Sequence, residues 1–183
     1  MTNKYDLRNK YVKDVRPALK KELGLKNDLA VPKLVKVVVN IGLGRALKEP
    51  KIQEVALRTL ERITSQKPVM NLAKKSISNF KIREGMVIGA SVTLRGARMY
   101  NFLTKLINIT LPRVRDFRGL NPKSVDQQGN LSIGFKENVV FPEIKSDEIE
   151  VMHGLEVAVV TDAGDKQSGL KLLELLGFPF TKE

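Results

Sequence analysis

Two stretches of the chain alternate apolar and polar positions with the period of a β-strand. In residues 34–43, one face carries Val35, Val37, Val39 and Ile41, and the other carries Lys36 and Asn40 together with Leu34 and Val38. In residues 86–95, Ile88, Ala90, Val92 and Leu94 face one way, and Ser91, Thr93 and Arg95 face the other. An apolar face opposite a polar one is typical of an antiparallel sheet that helices cover on one side.

Helical spacing of apolar residues predicts the elements that cover the apolar face. Leu7, Tyr11 and Val15 predict a short helix interrupted before Pro17, which opens a further turn ending near Gly24. Further helices are predicted from Pro50 to about Gln66, over residues 97–111 up to Pro112, and over residues 170–176 before a Gly177 cap. Shorter strands are predicted at residues 68–73, 131–135 and 155–161. The fold class that follows is α+β: a two-layer single domain over residues 1–183, with a mainly antiparallel sheet, helices on one face and an open polar face.

Two segments show no regular period. Residues 74–84 are predicted to form an exposed basic loop, with Lys74, Lys75, Lys81 and Arg83 placed around Asn79 and Phe80. Residues 113–130 contain Arg113, Arg115, Arg118 and Lys123 beside glycines and a proline. Loops of this length are usually functional or mobile, so we expect that no apolar core immobilises this segment and that it is disordered before binding.

The charge is distributed unevenly along the 183 residues. Residues 1–136 hold 28 basic and 10 acidic side chains, whereas residues 137–183 hold 4 basic and 10 acidic ones. The first part predicts salt-sensitive association with phosphate backbones. The second part predicts a different, basic partner, and the alternative is that both parts are merely solvated surfaces. The hydrophobic content of 42% excludes a disordered chain.

Motifs for catalysis and cofactors fail when they are tested one by one. The chain has no cysteine and a single histidine, His153, to which we assign a structural or surface role. The dinucleotide fingerprint that begins at Gly42 would need a third glycine at Leu47, and the phosphate-loop spacing at Gly164 is not followed by Lys and then Ser or Thr. The acidic group Asp147, Glu148 and Glu150 could bind Mg²⁺ or act as an acid/base pair, but a solvated surface is favoured. We therefore expect no enzyme, no cofactor and no metal. The sequence also lacks an apolar run of roughly 20 residues and a signal-peptide core, so a cytoplasmic location without a membrane partner is expected.

Three strings of residues together resemble the bacterial 5S-rRNA-binding ribosomal protein family, number five of the large subunit. They are Val37-Val38-Val39-Asn40-Ile41-Gly42-Leu43-Gly44, the run from Lys74 to Gly85 (KKSISNFKIREG), and the run from Arg113 to Leu120 (RVRDFRGL). The likeness extends over essentially the whole chain, through Phe141-Pro142-Glu143-Ile144 to the closing Leu-Leu-Gly-Phe-Pro-Phe. The resemblance implies an α+β domain in the central protuberance that helps to attach 5S rRNA to the large subunit during translation.

The resemblance also implies which residues bind each partner. The family's 5S rRNA contact matches Asn40, Gln66, Phe80 and Thr93, to which we add the basic residues Lys36, Lys74, Lys75, Lys81, Arg83 and Arg95. Phe80 is expected to stack on a base, and the alternative is a core residue between Ile77 and Ile82. The family's tRNA contact, with the peptidyl site, would fall on Arg113, Arg115, Arg118 and Lys123. Its bridge to a basic protein of the small-subunit head would use Glu143, Asp147, Glu148 and Glu150.

Further partners implied by the resemblance are large-subunit rRNA and other 5S-associated ribosomal proteins. Two alternatives from the residues alone are a free-standing RNA or DNA chaperone or regulator, for which the same basic face would suffice, and an RNA-modifying enzyme. The enzyme lacks a catalytic constellation in the sequence.

Overall fold

The computed structural model of the chain describes residues 6–44, 50–144 and 152–181. The predicted contact residues Asp147, Glu148 and Glu150 lie outside the described residues. The helices are α1 (Leu7–Lys10), α2 (Arg16–Glu22), α3 (Pro50–Thr64), α4 (Gly96–Lys105) and α5 (Lys166–Leu176). The strands are β1 (Leu34–Gly42), β2 (Val69–Leu72), β3 (Val87–Leu94), β4 (Leu131–Phe135) and β5 (Leu155–Thr161).

The five strands form one sheet in the order β2-β3-β1-β5-β4. Strands β2 and β3 pair in antiparallel fashion, with Val69 opposite Ser91 and Asn71 opposite Gly89. Strand β1 also runs antiparallel to β3 and to β5, because the end of one strand meets the start of the next: Leu43 N–H donates to Ile88 C=O (2.9 Å) and Asp162 N–H donates to Lys33 C=O (3.1 Å). An α+β fold with an open antiparallel sheet, as the alternation indicated, is confirmed.

The described chain divides into two compact units made of interleaved segments. Unit 1 contains residues 6–37, 94–133 and 158–181, and unit 2 contains the described residues of 38–93 and 134–157. Strands β1, β4 and β5 contribute residues to both units. The single domain expected over residues 1–183 stays a prediction.

The predicted faces of the two central strands are mostly confirmed. Val37, Val39 and Ile41 of β1 are fully buried, as are Ala90, Val92 and Leu94 of β3. The exception lies at the start of β1, where Leu34 is buried and Val35 is 36% exposed, the reverse of the prediction. The period of two therefore holds only from Lys36 onwards, because packing at the beginning of the strand overrides the local alternation.

The predicted interruption before Pro17 is wrong. Between α1 and α2 the chain makes a π-helical turn, Tyr11–Val15, and remains helical throughout. Arg16 N–H donates to the carbonyl of Tyr11, five residues back. The wider turn accommodates a proline ring, which cannot donate a hydrogen bond and would clash with a carbonyl four residues earlier in a regular helix.

A π-helical turn also precedes Pro112, where the predicted end of the third helix is confirmed to within a turn, because the chain becomes extended at Val114. Helix α4 passes into a second π-helical turn, Leu106–Thr110, and then into a 3₁₀ turn, Leu111–Arg113, that contains the proline. The last helix also begins earlier than predicted, at Lys166, since the Asp165 carboxylate caps it by accepting from Ser168 N–H (2.9 Å). Its predicted end is confirmed by Gly177, whose φ of 106° is left-handed.

Within unit 1, α5 packs closely on the segment that leads into β4. A Cβ atom placed on Gly169 would lie 2.3 Å from the Cα atom of Gly129. Gly129 has a φ of 84° and its carbonyl accepts from Thr161 Oγ1 (2.9 Å). Close backbone packing therefore explains the glycine at position 169, which has the spacing of a phosphate loop from Gly164.

Candidate nucleic-acid interface

A polar surface in unit 2 brings together residues from the end of α3 and from β3. Gln66 Nε2 donates to the backbone carbonyl of Thr93 at 3.2 Å, and the Thr93 side chain itself is exposed. Gln66 reaches this position because Ser65 adopts a left-handed conformation (φ 52°) after the helix, and Thr64 Oγ1 bonds to the carbonyl of Gln66 (3.2 Å). Asn40 lies in the neighbouring strand β1 and is half-buried. The predicted face therefore carries Asn40 and Thr93, and the tertiary structure brings Gln66 next to Thr93.

The basic loop, residues 74–84, is closed at its base and exposed along its length. Ala73 N–H donates to Met86 C=O and Gly85 N–H donates to Ala73 C=O, both at 2.9 Å. Further out, Ile77 and Ile82 exchange backbone bonds of 2.8 and 3.1 Å. All residues from Lys74 to Lys81 are exposed, and so is Arg83. The loop thus presents its predicted cations to solvent on a defined hairpin-like base.

Phe80 lies at the outer end of the basic loop with 69% of its surface exposed. The alternative that it is a core residue between Ile77 and Ile82 is therefore wrong. It follows a 3₁₀ turn, Ser78–Phe80, that ends at Lys81 in a left-handed conformation (φ 55°). An aromatic ring held at the surface among cations can stack on an unpaired base.

Two predicted basic residues belong to unit 1. Lys36 lies on β1 and is half-buried, and Arg95 follows β3 and is exposed. Arg95 occupies the position before α4, where its side chain makes no capping bond. The Arg95 guanidinium therefore does not cap α4.

The long loop, residues 113–130, is held by the C-terminal segment of unit 1. Leu120 N–H donates to Pro179 C=O (2.7 Å), and Thr181 N–H donates to Leu120 C=O (2.9 Å). Leu120 and Val125 are buried. The expectation that no apolar core holds this loop is therefore wrong at these two residues.

The predicted tRNA-contacting side chains nevertheless lie at the surface. Arg113, Arg115, Arg118 and Lys123 are all at least partly exposed. Further along the loop, Asp126 accepts bonds from the backbone N–H groups of Asn130 (2.8 Å) and Gln128 (2.9 Å). Slight burial raises the pKa of Asp126, but these hydrogen bonds outweigh it and hold the pKa below its usual range. The turn before β4 is thus fixed while the arginines remain free of the core.

The predicted acidic contact is described only at Glu143, which is half-buried in unit 2. The single histidine lies in the same unit. Asn138 Nδ2 donates to His153 Nε2 (3.3 Å), and His153 Nδ1 donates to Gly154 C=O (3.4 Å). Burial lowers the pKa of His153, so the neutral ring is favoured, in agreement with the structural role assigned from the sequence.

The described residues contain no candidate metal site and no candidate membrane span. No group of three or more His, Cys, Asp or Glu side chains in the described ranges could hold a metal ion. None of the helices seen in those ranges is long and apolar enough to cross a membrane.

Sequence reasoning missed Asn71, which lies on β2 and bonds to Ser91 of β3. The predicted strand at residues 68–73 showed no clean alternation, so its faces could not be assigned. The register of β2 against β3 was the missing signal.

Two family models match most of the chain. The model described as Ribosomal protein L5 matches residues 27–83, and the model for the C-terminus of the same ribosomal protein family matches residues 87–180. The Large ribosomal subunit protein uL5 of Natranaerobius thermophilus is 54% identical over 171 residues, which cover 93% of this chain and 96% of that protein. The protein of the same name from Carboxydothermus hydrogenoformans is 51% identical over 176 residues, with coverage of 96% and 98%. That from Prochlorococcus marinus (strain MIT 9215) is 53% identical over 176 residues, with the same coverage.

Proposed function

Because this chain belongs to the ribosomal protein L5 family and is a structural constituent of the large ribosomal subunit, we propose that it binds 5S rRNA there. The chain is a non-enzymatic ribosomal component, as the failed motifs predicted, and the ribosome is its cytoplasmic location. Family membership favours this function over a free-standing chaperone or regulator. The finer proposal is that 5S rRNA is attached in the central protuberance through the polar surface and basic loop of unit 2.

The observation that carries the proposal is the combination of two features within unit 2. The Gln66 amide is fixed on the backbone of Thr93, and this ordering of a polar side chain supports its use as an RNA contact. The basic loop of the same unit supplies four exposed cations and an exposed aromatic ring. Polar groups that fix register and cations that offset phosphate repulsion are the two requirements of structural RNA binding.

The test measures 5S rRNA affinity for Asn40→Ala, Gln66→Ala and Thr93→Ala. Each change should cost about 1 to 3 kcal/mol, or roughly 5- to 150-fold in Kd, because a desolvated RNA partner is left unpaired. Asn101→Ala, an exposed asparagine on α4, is the matched control and should bind normally. Normal affinity of the folded triple variant would refute the assignment.

We further propose that the long loop contacts peptidyl-site tRNA through Arg113, Arg115, Arg118 and Lys123, whose surface positions support the proposal. Replacing residues 114–119 by a glycine and serine linker of equal length leaves the Leu120 anchor in place. The variant should fold and bind 5S rRNA but retain peptidyl-site tRNA poorly on ribosomes. If it instead lost 5S rRNA while basic-loop variants lost tRNA, the two loops would exchange their assignments.

A third proposal concerns the acidic segment and a basic protein of the small-subunit head. Residues 137–165 contain eight acidic residues and one lysine, a composition that repels RNA and attracts basic proteins. Reversing Asp147, Glu148 and Glu150 to Lys should weaken subunit association, measured by light scattering, and the loss should depend on salt. The control reverses three exposed acids elsewhere, Asp14, Glu61 and Glu174. Equal joining of both variants at low and high salt would leave the segment a solubilising flank. The remaining proposed partners, large-subunit rRNA and other 5S-associated proteins, are not assigned to residues.

A further inference from the structure

Strand β2 places Asn71 on the same face of the sheet as the proposed RNA contact Thr93. Asn71 pairs with Gly89 and Val69 pairs with Ser91 across the antiparallel ladder. Side chains directly opposite in such a ladder point to one face, and that face repeats every second residue along β3. Asn71 therefore shares a face with Ser91 and Thr93, and the basic loop begins three residues later at Lys74.

The Asn71 amide is held in one orientation by its neighbours. Ser91 Oγ donates to Asn71 Oδ1 at 3.2 Å, so the carbonyl oxygen is directed towards β3. In the described part of the chain, Nδ2 has no acceptor. A Cβ atom on Gly89 would lie 3.7 Å from Nδ2 and 3.0 Å from the carbonyl oxygen of Ile41, so the Gly89 backbone packs directly beside the amide. Asn71 consequently presents its Nδ2 donor, while its oxygen already accepts one hydrogen bond from Ser91.

We infer that Asn71 is a further RNA-contacting residue, whose Nδ2 group donates to an oxygen of the RNA backbone and is oriented by Ser91. The inference rests on the proposed binding of 5S rRNA. An amide whose Nδ2 group faces the RNA selects a hydrogen-bond acceptor and requires no charge on it. The RNA backbone offers two such acceptors, phosphate oxygens and ribose 2′-hydroxyls. Ser91 is a positioning residue, since it acts through the Asn71 amide.

The experiment measures the Kd for 5S rRNA with full-length variants. Asn71→Ala should weaken binding about 3- to 10-fold, as expected for one hydrogen bond. Ser91→Ala should weaken it less, because the amide then loses its orientation but keeps its donors. Ser91→Ala should have no further effect in the Asn71→Ala background, and Ser91→Thr, which keeps the hydroxyl, should bind like the unaltered protein. A purely structural role of Ser91 would instead give additive losses.

Asn71→Asp distinguishes the two acceptors. A carboxylate facing a phosphate oxygen should lose more affinity than alanine does, and added salt should reduce the difference. A carboxylate facing a 2′-hydroxyl can accept from it, so the loss should be smaller than with alanine. Either outcome supports an RNA contact at Asn71.

A second measurement requires no substitution at the site. The side-chain amide resonances of Asn71, observed by ¹⁵N NMR in the unaltered protein, should shift when 5S rRNA is added, and those of the exposed Asn101 should not. Unshifted Asn71 resonances together with normal affinity of Asn71→Ala would overturn the inference. The proposed function is judged separately, by Asn40→Ala and Thr93→Ala: it stands if these weaken binding, even when Asn71 proves silent.

Discussion

The basic loop gives the most quantitative prediction, because its four cations are exposed and should act through phosphate contacts. Lys74, Lys75, Lys81 and Arg83 are to be replaced together by Gln, which removes charge and keeps much of each side chain. Each phosphate contact that is lost should reduce the slope of log affinity against log salt by about 0.7 to 0.9. Four contacts together amount to a slope change of about 3.

This slope can be converted to a measurable ratio. A slope of about 3 corresponds to roughly a 60-fold fall in affinity when salt rises from about 50 to about 200 mM. The unaltered protein should show this fall in addition to the contribution of its remaining cations, and the quadruple variant should show only the latter. The assay is equilibrium binding of 5S rRNA at several salt concentrations, with folding checked by circular dichroism.

The matched control removes the same charge from four exposed lysines outside the loop: Lys13, Lys21, Lys26 and Lys136. A local contact requires the loop variant to change the slope and the control variant to leave it nearly unchanged. Equal slopes in the two variants would show that only net charge matters. A slope in the loop variant like that of the unaltered protein would refute phosphate binding by this loop.

Three further predictions concern the stability of unit 1. Gly169→Ala should destabilise the protein by about 1 to 3 kcal/mol in urea unfolding, because the added Cβ atom meets the backbone of Gly129. In the control Gly134→Ala the added Cβ atom has no neighbour within 4 Å, so the free energy of unfolding should change by no more than about 0.5 kcal/mol. Equal stability of the two variants would contradict this packing. Burial raises the pKa of Tyr11 to about 12, above the usual 10.0. The neutral Tyr11 hydroxyl donates to Pro32 C=O (3.0 Å). The stability that this neutral form contributes is complete below a pH of about 10 and is lost as the pH rises towards about 12. Tyr11→Phe should flatten that alkaline loss, and an unchanged pH profile of unfolding would argue against it. Asp165→Ala should lower the melting temperature, because it removes the cap of α5. Asp165→Asn can still accept from Ser168 N–H and should melt close to the unaltered protein. Equal melting temperatures of Asp165→Ala and the unaltered protein would mean that the cap does not stabilise α5.

The sequence by itself determined the features that depend on one segment at a time. Alternation along residues 86–95 identified both faces of β3, because successive side chains of a strand point to opposite sides whatever the strand pairs with. The lack of any period in residues 74–84, together with their charge, identified an exposed basic loop, since cations are rarely buried without partners. The resemblance to the family depends on three short strings of residues and therefore on the sequence alone.

Local patterns were less reliable where a proline met a helix. Pro112 lies in the turn where its helix ends, as expected, but Pro17 was expected to interrupt a helix and instead follows a π-helical turn within a continuous helical run. Pattern reasoning treats the lost hydrogen bond as a stop. In a packed helix, the apolar contacts of the flanking turns favour continuation, and a wider turn before the ring removes the clash.

Only the tertiary structure decided which distant residues meet. The bond between Ser91 and Asn71 depends on the register of β2 against β3, and a shift of one residue would turn Asn71 to the opposite face. The bond between Gln66 and Thr93 joins residues that are 27 positions apart in the sequence. The bond between Thr181 and Leu120 joins residues that are 61 positions apart. Periodicity shows which side of an element is buried, but register and long-range hydrogen bonds are set by the packing of the whole chain, so no single segment contains them.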